Sequence, residues 1–183
     1  EQGKKLYDAG KFAEALPLLT DAAVAGNADA QLHIGYIYDC GKGVPQSYTK
    51  AAEWYQKAAD QGNGRAQLSL GYMYREGQGV PKNDTKAAEW YQKAADQGLA
   101  IAQALLGYMY DNGKGVPQNY TKAVEWFQKA ADQGDAGAQL NLGAMYEYGQ
   151  GVPQSKLKAL EWYRKSASQG NATALADVKR LEH

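Results

Sequence analysis

Cysteine is nearly missing from this chain. Cys40 is the only one in 183 residues, so no intrachain disulfide forms. That absence does not fix a compartment, because a protein in an oxidising space can lack disulfides. Histidine is just as scarce: His33 is the only one apart from the terminal His183. This leaves no catalytic triad or histidine-rich zinc site elsewhere in the chain. Neither sign of charge is in surplus, since 20 Lys+Arg balance 20 Asp+Glu. Binding nucleic acid by displacing counterions needs excess cations, so that partner is not expected. A polybasic membrane anchor is disfavoured on the same ground. No apolar run approaches the roughly 20 residues that span a bilayer. No G-x-x-x-x-G-K-[ST] pattern is present, so the glycines of G-K-G-V-P are not a phosphate loop. The chain opens at Glu1 rather than methionine, so an upstream segment, of which a signal peptide is one kind, is expected to have been removed or never built. Leu181-Glu182-His183 resembles the start of a vector-encoded histidine tag and is set aside from functional reasoning.

What is present is a globular composition, 44% hydrophobic and 22% charged, and a repeat. Trp54, Trp90, Trp126 and Trp162 stand 36 residues apart, as do Pro45, Pro81, Pro117 and Pro153. Gly35, Gly71, Gly107 and Gly143 keep the same period. A fixed period in this range marks a solenoid. The chain divides into a capping hairpin (1–26), four units (27–62, 63–98, 99–134, 135–170) and a capping helix with the tag-like end (171–183). Together they make one continuous domain.

Each unit reads as two helices. In the first, helix A runs from about Asn27, an N-cap, to about Cys40. Ala30, Ile34, Ile37 and Tyr38 have helical spacing. Gly41 suits the C′ position, where positive φ is needed. Pro45 biases Val44 out of helix and sets the loop. Helix B starts at Ser47, with Asn83, Asn119 and Ser155 as its counterparts, all N-cap residues, and ends at Gly62. Glu53 and Lys57 stand at i, i+4 and are expected to pair on a solvated face, as are Glu89–Lys93, Glu125–Lys129 and Glu161–Lys165. Trp54 and Tyr55, with Ala51, Ala58 and Ala59, are expected to form the core side.

The unit A-Q-x-x-x-G-x-x-Y…G-x-G-V-P…K-A-x-E-W-Y-x-K-A-A-x-x-G resembles the Sel-one-like repeat (SLR), a branch of the tetratricopeptide (TPR) superfamily. Ala30, Gln31, Gly35, Tyr38, Gly41, Gly43, Val44, Pro45, Lys50, Ala51, Trp54, Tyr55, Lys57, Ala58, Ala59 and Gly62 carry the resemblance. It covers Asn27 to Gly170. The first segment departs from it. With Leu6, Tyr7, Gly10 and Ala15, that segment looks more like a plain tetratricopeptide hairpin. Pro17 inside its second helix is expected to remove a hydrogen bond and bend it. The tail from Asn171 resembles a further helix A, and atypical ends are expected of solenoid caps.

The resemblance implies an all-α fold: a right-handed α-solenoid of antiparallel helix pairs, an SLR/TPR-like superhelix with helices A lining a concave face. It also implies a protein-interaction adaptor, and many such proteins are bacterial and periplasmic or secreted. Cysteine-rich members are associated with β-lactam binding or hydrolysis. They carry a Cys pair in each unit, and Cys40 alone matches that poorly.

Positions that differ between copies are free for something other than scaffold. On helix A these are Asp29, His33, Tyr36 and Cys40, one stripe by their spacing. Their counterparts are Arg65, Ser69, Tyr72 and Glu76, then Ile101, Leu105, Tyr108 and Asn112, then Gly137, Asn141, Ala144 and Tyr148. Stacked, the stripes are expected to make one surface crossed by Tyr36, Tyr72 and Tyr108. Tyrosine is frequent in binding surfaces, and an extended peptide or a helix is the expected partner. Neutral drift, with the tyrosines packed between helices, is the competing explanation. Self-association through the convex face is left open, and no cofactor is expected.

Catalytic readings are weaker. Cys40 lies two turns beyond His33, on the order of 10 Å along the axis, too far for one metal ion or a thiolate–imidazole pair. Two S-x-x-K tetrads, Ser47…Lys50 and Ser155…Lys158, match the spacing of a nucleophile beside its base. Asn83 and Asn119 fill the serine position in the other copies, which indicates N-caps.

Overall fold

A computed structural model describes residues 1–183, and its regular structure is entirely helical. Helices α1 (Gln2–Asp8) and α2 (Phe12–Val24) form the first hairpin. Four pairs follow: α3 (Ala28–Cys40) with α4 (Tyr48–Asp60), α5 (Gly64–Glu76) with α6 (Asp84–Asp96), α7 (Ala100–Asn112) with α8 (Tyr120–Asp132), and α9 (Ala136–Tyr148) with α10 (Lys156–Ser168). The last helix is α11 (Ala172–Glu182). The chain forms two compact units, residues 1–93 and 94–183. The same local rules build both. Pro17 does not break α2, which runs through from Phe12 to Val24.

The helix ends follow from single residues. Asn27, Asn63, Asp135 and Asn171 accept the backbone N–H three residues on and start the A-type helices. Leu99, before α7, is the one repeat counterpart without a capping side chain, and the starts of α1 and α2 at Glu1 and Lys11 also lack one. Gly41 ends α3 at φ 64°, a left-handed conformation open to glycine at little cost. Its amide donates to the carbonyl of Ile37. Helix α4 ends at Asp60 with Gln61 as its cap, so the cap falls one residue before Gly62, the end the sequence suggests.

The copied glycine on helix A accommodates a ring. A Cβ on Gly71 would lie 2.5 Å from Cε1 of Tyr91, and one on Gly107 would lie 2.7 Å from Cδ1 of Phe127. Gly35 meets Tyr55, and Gly143 meets Tyr163, in the same way. These four rings are the largest fully or almost fully buried side chains of their repeats. This corrects the expectation for Trp54, Trp90, Trp126 and Trp162, which are only half-buried. Trp54 lies against the cluster of Ala15, Leu19, Ile34 and Ile37, and Trp90 against that of Ala66, Leu70 and Met73. Part of each tryptophan is left toward solvent.

The lysine of each expected Glu–Lys pair covers the indole instead. Lys57, Lys93, Lys129 and Lys165 place their ammonium 4.2, 3.9, 4.0 and 3.9 Å from the ring centroids of Trp54, Trp90, Trp126 and Trp162. An exposed i, i+4 ion pair is worth only a few tenths of a kcal/mol. A half-exposed tryptophan face offers a cation about 0.5–1 kcal/mol. The ring therefore captures the lysine, and the glutamates stay in water.

Buried glutamines tie successive helices together. Gln31 and Gln67 donate to the carbonyls of Ala23 and Ala59 within residues 1–93. Gln103 and Gln139 donate to Ala95 and Ala131 within residues 94–183. The Oε1 atoms of Gln31, Gln103 and Gln139 accept from Gln61, Gln133 and Gln169 at 2.7–2.8 Å. The alanine–glutamine step of the repeat is thus a polar lock on the end of the preceding B helix.

Candidate functional site

The S-x-x-K tetrads are helix starts. Ser47 and Ser155 accept the backbone N–H of Lys50 and Lys158, as Asn83 and Asn119 accept those of Lys86 and Lys122. The lysine ammonium lies over a helix-A tyrosine rather than beside the hydroxyl. Lys50 sits 5.1 Å from the centroid of Tyr38, and Lys158 sits 5.0 Å from that of Tyr146. A base held over a ring takes no proton from the capping serine. No group of His, Cys, Asp and Glu with metal-binding geometry occurs. Cys40 is exposed and unpaired.

The thirteen candidate positions are all exposed or half-exposed. In residues 1–93, Asp29 accepts from the Asn63 amide at 3.0 Å. Asp29 and His33 share a cleft with Lys4, Leu18 and Asn27. His33 lies on Tyr7, ring centroids 4.3 Å apart. Burial and then Lys4 hold its imidazole below its usual pKa, so it is neutral at pH 7. Tyr36 meets Tyr7 edge-on and accepts a hydrogen bond from Lys42 at 2.8 Å. The Lys42 ammonium also lies 4.6 Å from the Tyr36 ring and 4.9 Å from the Phe12 ring. Burial pushes the Tyr7 phenol up to about 12. Tyr72 lies edge-on to Tyr91 beneath the guanidinium of Arg75, which is bonded to Glu76. Ser69 lies near the hydroxyl of Tyr55, and Arg65 is exposed.

In residues 94–183 the surface is plainer. Ile101 is 53% exposed, Tyr108 40% and Tyr148 63%. Leu105 and Asn141 are half-buried. Asn112 donates to the Tyr108 carbonyl, and Lys114 reaches the Tyr108 hydroxyl at 3.3 Å.

Sequence reasoning missed the cations that dress the tyrosines. Lys42 and Lys114 lie in the G-x-G-V-P loop, where the other copies carry Gln78 and Gln150. That variation is visible in the sequence, but nothing local to the loop shows which ring its lysine reaches. Tyr7 was missed because it belongs to the capping hairpin, outside the repeat alignment.

The Sel1 repeat family model matches residues 28–63, 64–99, 100–135 and 136–171. The chain belongs to the Sel1 repeat family. A Sel1 repeat protein from Oxalobacter formigenes is 38% identical, with a TM-score of 0.92 over 97% of this chain and 73% of that one. A protective antigen of uropathogenic Escherichia coli strains, displaying an SLR fold, is 43% identical, with a TM-score of 0.90. The match covers 92% of this chain but 36% of that one, so this Sel1-repeat chain spans about a third of that relative. Cysteine-rich protein B of Helicobacter pylori is 26% identical with a TM-score of 0.56, over 70% of this chain and 92% of that one. No curated protein matches. The fold of this Sel1-repeat protein is therefore an all-α solenoid of helix pairs, a fold that commonly mediates protein–protein interaction. No helix is long and apolar enough to cross a membrane.

Proposed function

We propose that this chain is a non-enzymatic scaffold that binds a protein or an extended peptide through the exposed face of its A helices. One observation carries the reading. Positions copied between repeats are spent on ring holes, caps and glutamine locks, while every chosen position that differs between copies keeps exposed surface. In residues 1–93 the contact residues are Asp29, His33, Tyr36, Arg65, Ser69, Tyr72 and Glu76. In residues 94–183 they are Ile101, Leu105, Tyr108, Asn112, Asn141 and Tyr148. Tyrosines with cations beside them offer large contact area and hydrogen bonds at low entropic cost.

The test is affinity capture from the source organism with wild type and with a Tyr36→Ala, Tyr72→Ala, Tyr108→Ala variant. These rings are partly exposed, so the variant is expected to stay folded by circular dichroism. It is expected to lose a specific partner by at least tenfold. A partner retained equally well by the folded variant would move the binding face elsewhere. A fold that captures nothing in either form would favour a spacer.

A further inference from the structure

One position on helix A changes its chemistry from repeat to repeat. It is Asp39 in the first repeat, Arg75 in the second, Asp111 in the third and Glu147 in the fourth. In the first, the Tyr55 hydroxyl donates to the Asp39 carboxylate at 3.2 Å. In the fourth, the Tyr163 hydroxyl donates to Glu147 at 2.8 Å. The Arg180 guanidinium grips the same carboxylate with bonds of 2.7 and 2.9 Å. The fourth repeat thus assembles one carboxylate between a buried phenol and an arginine.

The second repeat has the phenol and an arginine but no carboxylate of its own at that position. Tyr91 is fully buried, and its hydroxyl is the buried side-chain polar atom that has no hydrogen-bond partner. A buried hydroxyl left unsatisfied is costly and calls for an explanation. The Tyr72 ring joins the two groups: it meets Tyr91 edge-on with centroids 5.6 Å apart, and the Arg75 guanidinium sits 4.9 Å from its centroid. Its Nε donates to the adjacent Glu76 at 2.7 Å, and these side chains are 32% and 50% exposed. An exposed pair of this kind is worth little, so an incoming anion can replace it.

We propose that Arg75 and Tyr91 form a receptor for a carboxylate of the bound peptide, with Tyr72 as the adjoining ring. This rests on the peptide-scaffold reading above and adds the chemistry of the ligand. The guanidinium turns from Glu76 to the incoming carboxylate, and the movement opens the Tyr91 phenol beside the Tyr72 ring. The carboxylate then accepts from both groups, as Glu147 does from Arg180 and Tyr163. An acidic side chain and a free C-terminus present the same group.

The probe is a random decapeptide library in three pools. The first has acidic side chains and an amidated C-terminus. The second has no acidic side chain but a free C-terminal carboxylate. The third has neither. Wild type is expected to retain one of the first two pools over the third, and which one identifies the source of the carboxylate. Affinity for the best peptide is expected to fall roughly tenfold or more in Arg75→Gln, and several-fold in Tyr91→Phe, as for charge-assisted bonds. Arg75→Asp supplies in cis the acceptor that Asp39 gives Tyr55. It is expected to melt no lower than wild type while losing the preference for carboxylates. Equal retention of all three pools would overturn the receptor and leave the scaffold intact. So would affinities unchanged in Arg75→Gln and Tyr91→Phe. Retention of no peptide from any pool would overturn the receptor, and the scaffold reading then stands or falls on the capture experiment above.

Discussion

Phe127 and Trp126 are neighbours in sequence with different tasks. Phe127 is fully buried over Gly107, whereas Trp126 stays half-buried beneath Lys129. Phe127→Ala is expected to cost about 3–5 kcal/mol, and Trp126→Ala clearly less, both read by urea unfolding. A larger loss at the tryptophan would reverse the assignment of the core ring. The ring and its glycine were both legible as copied residues. Their contact was not, because Gly107 and Phe127 are twenty positions apart and only folding brings them together. Asp111 shows a charge at odds with its surroundings. Burial raises its carboxyl above the usual carboxylate range. A raised folded-state pKa gives stability that is present at low pH and lost as pH rises through it. Asp111→Asn is therefore expected to stabilise the fold at pH 7, with the gain vanishing below about pH 4. Melting curves at the two pH values check this.

At the scale of helices, the starts were readable from single residues and the locks between helices were not. Ser155 caps α10 as Asn119 caps α8. Ser155→Asn is expected to be nearly neutral and Ser155→Ala to cost about 1 kcal/mol. The glutamine locks are less forgiving. Gln139→Leu removes the donor to Ala131 and the acceptor for Gln169 at once. It is expected to cost about 1–3 kcal/mol by urea unfolding, since two hydrogen bonds of about 0.5–1.5 kcal/mol each are lost, although the Ala131 carbonyl keeps the Gly134 amide and Gln169 keeps the Gly134 carbonyl. The sequence shows that Gln139 is copied, but not that it bonds a carbonyl eight residues earlier. The candidate face was legible as variation along α3, α5, α7 and α9. Lys42 and Lys114 were not legible as part of it, because a loop lysine finds its tyrosine six residues back only through the turn at Gly41 or Gly113.

At the scale of the whole molecule, repeat stability is roughly a sum of unit and neighbour terms. The last helix carries one of the neighbour terms. Arg180 bonds Glu147 and, with Tyr163, holds its carboxyl below the usual range. A depressed folded-state pKa gives stability that is present above the unfolded carboxylate value, about 4.3. That stability is lost as pH falls through the folded value. Acid is therefore expected to release α11 early, seen as faster amide exchange in Ala172–Glu182 below about pH 4, and Arg180→Met is expected to abolish that pH dependence. Exchange in α11 that ignores pH in the wild type would show that the ion pair does not hold the cap.

The sequence by itself determined the period, the helix pairs, the caps and the turn glycines, because these depend on residues within a few positions of one another. Tertiary structure decided which aromatic ring is buried, where each lysine goes, and which tyrosine hydroxyl finds an acceptor. Those outcomes depend on distance and desolvation between residues sixteen or more positions apart, as with Tyr55 and Asp39, or on which of two nearby partners wins. Identical local sequence leaves Tyr55 satisfied and Tyr91 without a partner, because the residue opposite is an acid in one repeat and an arginine in the next.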